Sequence, residues 1–207
     1  MAQEPDKIGR EVLPIPDTPS KGKNALDARN AEFPPIAPLR PPKGAPNVVI
    51  VLLDDMGFGA PSVTGGPCNM PAMQKVADDG LLYNRFHTTA LCSPSRASLM
   101  AGRNPHSIGL GSHALTAMGF PGYNAFPPES GKSVAKHLQK AGFVNYAIGK
   151  WDHTPLYEVS QVGPFDRWPS GEGFQHAYTF MAADVHQFVP VMWNDHTPEP
   201  YRKSVHL

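Results

Sequence analysis

The stretch "PNVVIVLLDDMG", residues 46–57, sets the architecture. Val48 to Leu53 is an unbroken apolar run rich in β-branched side chains. A strand with one wet face alternates apolar and polar residues. This run does not alternate, so it reads as a strand buried on both faces, as in a parallel sheet covered by helices. It is far too short for the roughly 20 residues a membrane-spanning helix needs. It ends in Asp54-Asp55 and runs on into Gly57 and Gly59.

Elements follow on its C-terminal side. Pro71–Asp79 reads as a short helix, with Met73, Val76 and Ala77 on one side and Gly80 as its C-cap. Leu81–Phe86 reads as a second strand, and Ser93–Ala101 as a helix with Pro94 in its first turn. Residues 103–130 are rich in Gly, Pro and Asn and read as a long active loop or an insertion. Ser133–Ala141 reads as an amphipathic helix with Val134, Leu138 and Ala141 facing in and Gly142 as its stop. Phe143–Ile148 is then a strand ending at Gly149-Lys150-Trp151. Strands alternating with helices predict an α/β fold, a mostly parallel central sheet flanked by helices.

Upstream the composition changes. Residues 1–46 hold ten of the chain's 24 prolines and show no helical or strand period. They read as an extended, proline-rich arm, and residues 47–207 as the body. The chain has 207 residues, 41% of them hydrophobic, enough for a sizeable core. Eighteen basic residues balance 18 acidic ones, so nothing points to nucleic acid or to an anionic membrane. The opening MAQEPDKIGREVLPIP lacks the apolar core of a secretory signal, which makes the cytoplasm the default location and leaves the periplasm open. Cys68 and Cys92 read as two free thiols rather than a disulfide framework.

In sheets of this kind, ligands bind beyond the carboxyl ends of the strands. Asp54-Asp55, Cys92 and Lys150 all fall there. Two carboxylates close together repel, and a divalent cation removes the conflict. All-oxygen ligation suits a hard ion, Ca²⁺ or Mg²⁺. The competing reading is a solvated turn. Cys92 sits at a helix N-terminus, whose free N–H groups favour an anion, and Arg96 adds a guanidinium suited to an oxyanion. Cys92 is then either a small buried hydrophobe or a thiolate nucleophile. Soft sulfur beside hard-ion ligands is a mismatch that spacing alone does not resolve.

Cys92-Ser93-Pro94-Ser95-Arg96, continued as ASLMAGR, resembles the sulfatase signature C-x-P-S-R followed by Gly-Arg. Gly142 to Trp151, GFVNYAIGKW, resembles the second sulfatase signature, and PNVVIVLLDDMG resembles the first strand of that family. HTTALCSPSRAS, RNPHSIG and RWPSGEGF look most like the large bacterial arylsulfatases. The resemblance implies an alkaline-phosphatase-like α/β fold and hydrolysis of sulfate esters, small-molecule substrates. It implies that Cys92, within the modification motif Cys92, Pro94 and Arg96, is oxidised to formylglycine (3-oxoalanine) by a formylglycine-generating enzyme. The working atom is then oxygen, and the mismatch dissolves. One hydroxyl of the hydrated aldehyde attacks sulfur and the alcohol leaves; the second hydroxyl loses its proton and sulfate is expelled. Asp54, Asp55 and the modified Cys92 are implied as ligands of Ca²⁺, in preference to Mg²⁺. Arg96 is implied to hold the formylglycine, and Lys150 to neutralise a sulfate oxygen.

The chain departs from the pattern at Lys150-Trp151-Asp152-His153, where relatives read Lys-Trp-His. Asp152 takes the histidine position and His153 comes one place late, so His153 is the candidate for that role. A shift of one residue on an extended segment reverses the side on which the ring lies. Ala101 stands where threonine is common. The family's second pair of metal ligands, a further histidine and a further lysine have no recognisable counterpart, and Asn194-Asp195-His196 lacks the context. This predicts an N-terminal portion of a sulfatase domain that needs further chain for activity. Hydrolysis of phosphate or phosphonate esters by the same apparatus and an inactive remnant stay open as alternatives. His106 and His113, in the loop after the signature helix, are candidates for lining the pocket. His137 reads as a surface residue. Trp151, Trp168 and Trp193 read as core aromatics, and Cys68 as a loop cysteine without a role.

Overall fold

A computed structural model of the chain describes residues 22–23 and 25–200. Residues 1–21 and 24 of the expected arm, and His206, lie outside the described residues. Compact packing divides the chain between Leu39 and Arg40. In the first unit Asp27 caps a short 3₁₀ turn, Ala28–Asn30, by accepting from the Arg29 N–H at 2.9 Å. Its described residues bury no side chain fully.

Among the described residues, the second unit holds the α-helices α1 (Pro71–Asp79), α2 (Cys92–Ala101) and α3 (Val134–Lys140). Its described strands are β1 (Tyr146–Lys150), β2 (His176–Phe180), β3 (Trp193–Asn194) and β4 (Thr197–Pro198). They form one sheet in the order β1-β2-β3-β4. β1 and β2 are parallel, with Tyr146 opposite His176 and Lys150 opposite Phe180. β2–β3 and β3–β4 are antiparallel, so the described sheet is mixed rather than mostly parallel. The reason is local. Asp195-His196 joins β3 to β4 in a tight turn, and so short a link allows only an antiparallel return. Asp195, at φ 53°, accepts from the Ala177 N–H at 2.7 Å and locks that turn to β2. Asn194-Asp195-His196 is therefore hairpin architecture.

The two strands expected upstream do not form. Val48–Leu53 has no strand partner among the described residues, and its side chains are exposed, Val49 by 84% and Leu53 by 42%. Leu81–Phe86 is likewise unpaired, with Leu81 80% exposed. A doubly buried strand needs a ladder on its edges and helices over its faces, and no described strand supplies the ladder. The strand expected at Phe143–Ile148 starts later, at Tyr146. Asn145 is taken up by cross-links: its side-chain amide donates to the carbonyls of Ala135 at 2.8 Å and Gly173 at 2.9 Å.

The helices follow their caps. α3 begins at Ser133, whose Oγ accepts from the Ala135 N–H at 3.0 Å, and ends before Gly142 at φ 89°. It buries Ala135 and partly Leu138; Val134 and Ala141 are exposed, which corrects the inward face expected for them. α1 matches its predicted span but buries no residue, and Val76 is exposed.

Two apolar clusters hold the unit together. Ala147, Trp151, Trp168, Ala177, Met181 and Trp193 form one against the sheet. Trp168 and Trp193 meet edge to face at 4.9 Å, a favourable aromatic geometry. The second cluster joins Ala97 of α2 to Ile108, Leu110, Ala114 and Ala125. Residues 103–130 are thus a packed segment, laced by bonds such as Gly111 N–H to Gly122 O and Ala125 N–H to Gly109 O, both 2.8 Å.

Candidate active site

Residues 92 and 150 meet because α2 and β1 deliver them to one place. α2 starts at Cys92. Its N-cap, Leu91, offers no side chain to the first turn, which leaves the positive end of the helix with unsatisfied N–H groups. The helix buries Ser93, Pro94, Arg96 and Ala97. Ser93 Oγ accepts from the Ala114 N–H at 3.0 Å, which pins the following loop to the helix start and brings His113 beside Cys92, with Sγ and Nδ1 3.6 Å apart. β1 ends at Lys150, directly after Gly149 at φ 88°, a backbone state that favours glycine.

Charged groups converge here. Asp54 lies between two cations: Lys150 Nζ donates to its Oδ2 at 2.9 Å, and Arg96 approaches its Oδ1 at 3.4 Å. Arg96 also donates to the Lys150 carbonyl at 2.9 Å, tying α2 to the end of β1. The Lys150 and Arg96 side chains are 9% and 10% exposed, and Asp54 is 43% exposed. Burial alone would raise the Asp54 carboxyl; the Lys150 bond and charge, with Arg96, outweigh it and hold Asp54 below the usual aspartate range. Burial would lower Lys150, but the bonds to Asp54 and Cys92 leave it above the usual lysine range. Burial, and then the neighbouring Asp152 carboxylate, push the Cys92 thiol up, against the pull of Lys150.

Asp152 is fully buried at φ 55°, and neither carboxylate oxygen has a hydrogen-bond partner. Its nearest cation is Lys150, Nζ to Oδ2 at 4.0 Å. Asp55, at φ 51°, is the other aspartate of the site in left-handed backbone, so the turn after the apolar run is made by Asp55 itself rather than by the glycines beyond it. Strained positions of this kind cluster at functional sites. Asp55 is exposed.

His153 goes elsewhere. Its Nδ1–H donates to the Trp151 carbonyl at 2.8 Å, and its ring tilts over Trp151 at 4.8 Å. It lines a small cavity beneath α2 with Ala97, Met100 and Ile108, and burial lowers its pKa. The group that meets Cys92 is Asp152, with His113 opposite. His106 lies apart, bonded to Asn104 and edge-on to Tyr123. The left-handed backbone that sets the place of Asp152 is a signal that residue spacing does not carry.

Oxygen donors at this site suit a hard divalent cation in kind. They fall short in number, since Ca²⁺ takes about six to eight oxygens. The described candidates are the Asp54 carboxylate, the exposed Asp55 carboxylate, Asp152, and an oxygen on a modified residue 92.

Cys92 at a helix N-terminus, met by a lysine at the carboxyl end of a parallel strand, thus belongs to an incomplete α/β domain of the alkaline-phosphatase-like class. The sulfatase family profile matches residues 46–188, and the chain belongs to the sulfatase family. It is 37% identical over 130 residues to N-acetylgalactosamine-6-sulfatase of Homo sapiens, covering 59% of this chain and 25% of that protein. It is 29% identical over 145 residues to the arylsulfatase of Klebsiella aerogenes, covering 69% and 30%. Among solved structures, the PsFucS1 sulfatase from Pseudoalteromonas sp. superposes with a TM-score of 0.50 at 28% identity, over 66% of this chain and 26% of that one. The chain thus spans about a quarter of the length of the relatives it matches.

Proposed function

We propose that this chain carries the nucleophile-bearing part of a sulfate-ester hydrolase of the arylsulfatase type, with Cys92 as the precursor of a formylglycine. The observation that supports this best is the meeting of Cys92, Arg96, Lys150 and Asp54, drawn from three separate stretches of sequence. A thiol whose pKa burial raises is a poor nucleophile at neutral pH. Conversion by a formylglycine-generating enzyme would supply an oxygen nucleophile at the same point.

Each residue then has a task. Arg96, fixed between Asp54 and the Lys150 carbonyl, orients residue 92 and stabilises negative charge on its oxygen. Lys150 offsets charge that builds on a sulfate oxygen in the transition state. His113, whose Nδ1 faces residue 92, exchanges a proton with that oxygen. Asp54 and Asp55, with an oxygen on residue 92, would hold Ca²⁺, in preference to Mg²⁺, and the ion would supply positive charge towards the ester. That charge is needed: Lys150 and Arg96 are formally cancelled by Asp54 and Asp152, whereas a sulfate ester is an anion.

The test is a chain extended to the length of its relatives, co-produced with a formylglycine-generating enzyme and assayed for sulfate release from an aryl sulfate. Release is expected, with Lys150→Ala slowing it by about 10²–10³-fold, the usual loss for one charge-stabilising group. A folded, modified enzyme that releases no sulfate, or that prefers a matched phosphonate ester, would overturn the assignment.

A further inference from the structure

Cys92, His113 and Asp152 bring a thiol sulfur, an imidazole nitrogen and a carboxylate oxygen within 4.8 Å of one another. The Sγ–Nδ1 separation is 3.6 Å. In a tetrahedral zinc site, with bonds of about 2.0–2.3 Å, such an edge measures about 3.5 Å. The other two edges need to shorten by at most about 1.5 Å to match. The Asp152 carboxylate is fully buried, and both of its oxygens lack a hydrogen-bond partner. Its one ion-pair partner, Lys150, stands 4.0 Å away and is shared with Asp54, so the buried carboxylate is poorly compensated, and a closely bound cation would offset that cost.

We propose that the unmodified, thiol form of the chain binds a Zn²⁺-type divalent cation through Cys92, His113 and Asp152, leaving one position open to water. The donor chemistry selects the metal. One thiolate, one imidazole and one carboxylate suit Zn²⁺ or Co²⁺ and not Ca²⁺. Binding converts the thiol to a thiolate and releases its proton. The site differs from the all-oxygen site proposed above, and it does not rest on that reading. The two are mutually exclusive at residue 92, because conversion to formylglycine removes the sulfur. The oxidation state of one side chain then decides which class of metal the pocket accepts.

Cobalt titration tests this. The 207-residue chain is produced without a formylglycine-generating enzyme and with Cys68→Ser, which removes the other, exposed thiol. One equivalent of Co²⁺ is expected to bring a thiolate-to-cobalt charge-transfer band in the near ultraviolet and tetrahedral bands in the visible. Cys92→Ser is expected to abolish the near-ultraviolet band. His113→Gln and Asp152→Asn are each expected to weaken binding by about tenfold or more. Absence of the band, or a band of unchanged affinity in both of those variants, would overturn the proposal. If a variant fails to fold, the parent chain decides by thermal melting. Zn²⁺ is expected to raise Tm where equal Ca²⁺ does not; no shift at saturating Zn²⁺ would overturn the proposal.

Discussion

Cys92 and Cys68 carry the same thiol in different surroundings. Cys68 is exposed; Cys92 is partly buried under the start of α2, with Asp152 beside it. Burial and that carboxylate favour the protonated thiol, so Cys92 needs a pH above the usual thiol range to ionise. Timed alkylation with iodoacetamide at neutral pH, read by peptide mass, is expected to label Cys68 first and Cys92 at least about tenfold more slowly. Equal rates would remove the case against a thiolate nucleophile. At this scale the sequence was informative about residue types and silent about turns. Cys92, Arg96, Lys150 and Asp54 were each readable from their positions at strand and helix ends, and they do come together. The left-handed backbone of Asp55 and Asp152 was not readable, because a left-handed aspartate looks like any other in a string of letters. Between Asp152 and His153 the backbone sends one side chain to Cys92 and the other beneath α2, and only coordinates show which.

Helices were more legible than strands. α1, α2 and α3 announce themselves by Pro71, Pro94, Ser133 and the glycines that follow each, and caps are local chemistry. Strands depend on partners, so the apolar run Val48–Leu53 could be recognised but its pairing could not. The packed segment 103–130 was hidden for another reason: its order comes from Ile108, Leu110, Ala114 and Ala125, which lack any regular period. Beside it, the buried Glu158 forms a two-pronged ion pair with Arg167, whose guanidinium also lies 3.9 Å from the centre of the Phe126 ring. Arg167→Ala leaves Glu158 charged and unpaired in the interior, and is expected to cost about 3–5 kcal/mol in urea unfolding. A loss below about 1 kcal/mol, the range of an exposed pair, would show that water reaches Glu158.

At the scale of the whole molecule, the active-site corner is assembled while apolar surface remains open around it. Val48–Leu53 stands exposed, and β1 presents Tyr146 and Ile148, 63% and 80% exposed, on the face opposite Ala147. Such rows invite coverage or aggregation. The backbone amides of residues 48–53 are expected to exchange with deuterium at nearly unprotected rates in the 207-residue chain. They are expected to become strongly protected in a chain carried on to the length of its relatives. Equal protection in both would mean that this run already has its partners. The central claim, that residue 92 works as an aldehyde-derived oxygen and not as a thiol, is tested most directly by the mass of the tryptic peptide Phe86–Arg96. After co-production with a formylglycine-generating enzyme, that peptide is expected to be lighter by about 18 Da, the change from CH₂SH to CHO. A peptide of unchanged mass, with a thiol still open to alkylation, would contradict it.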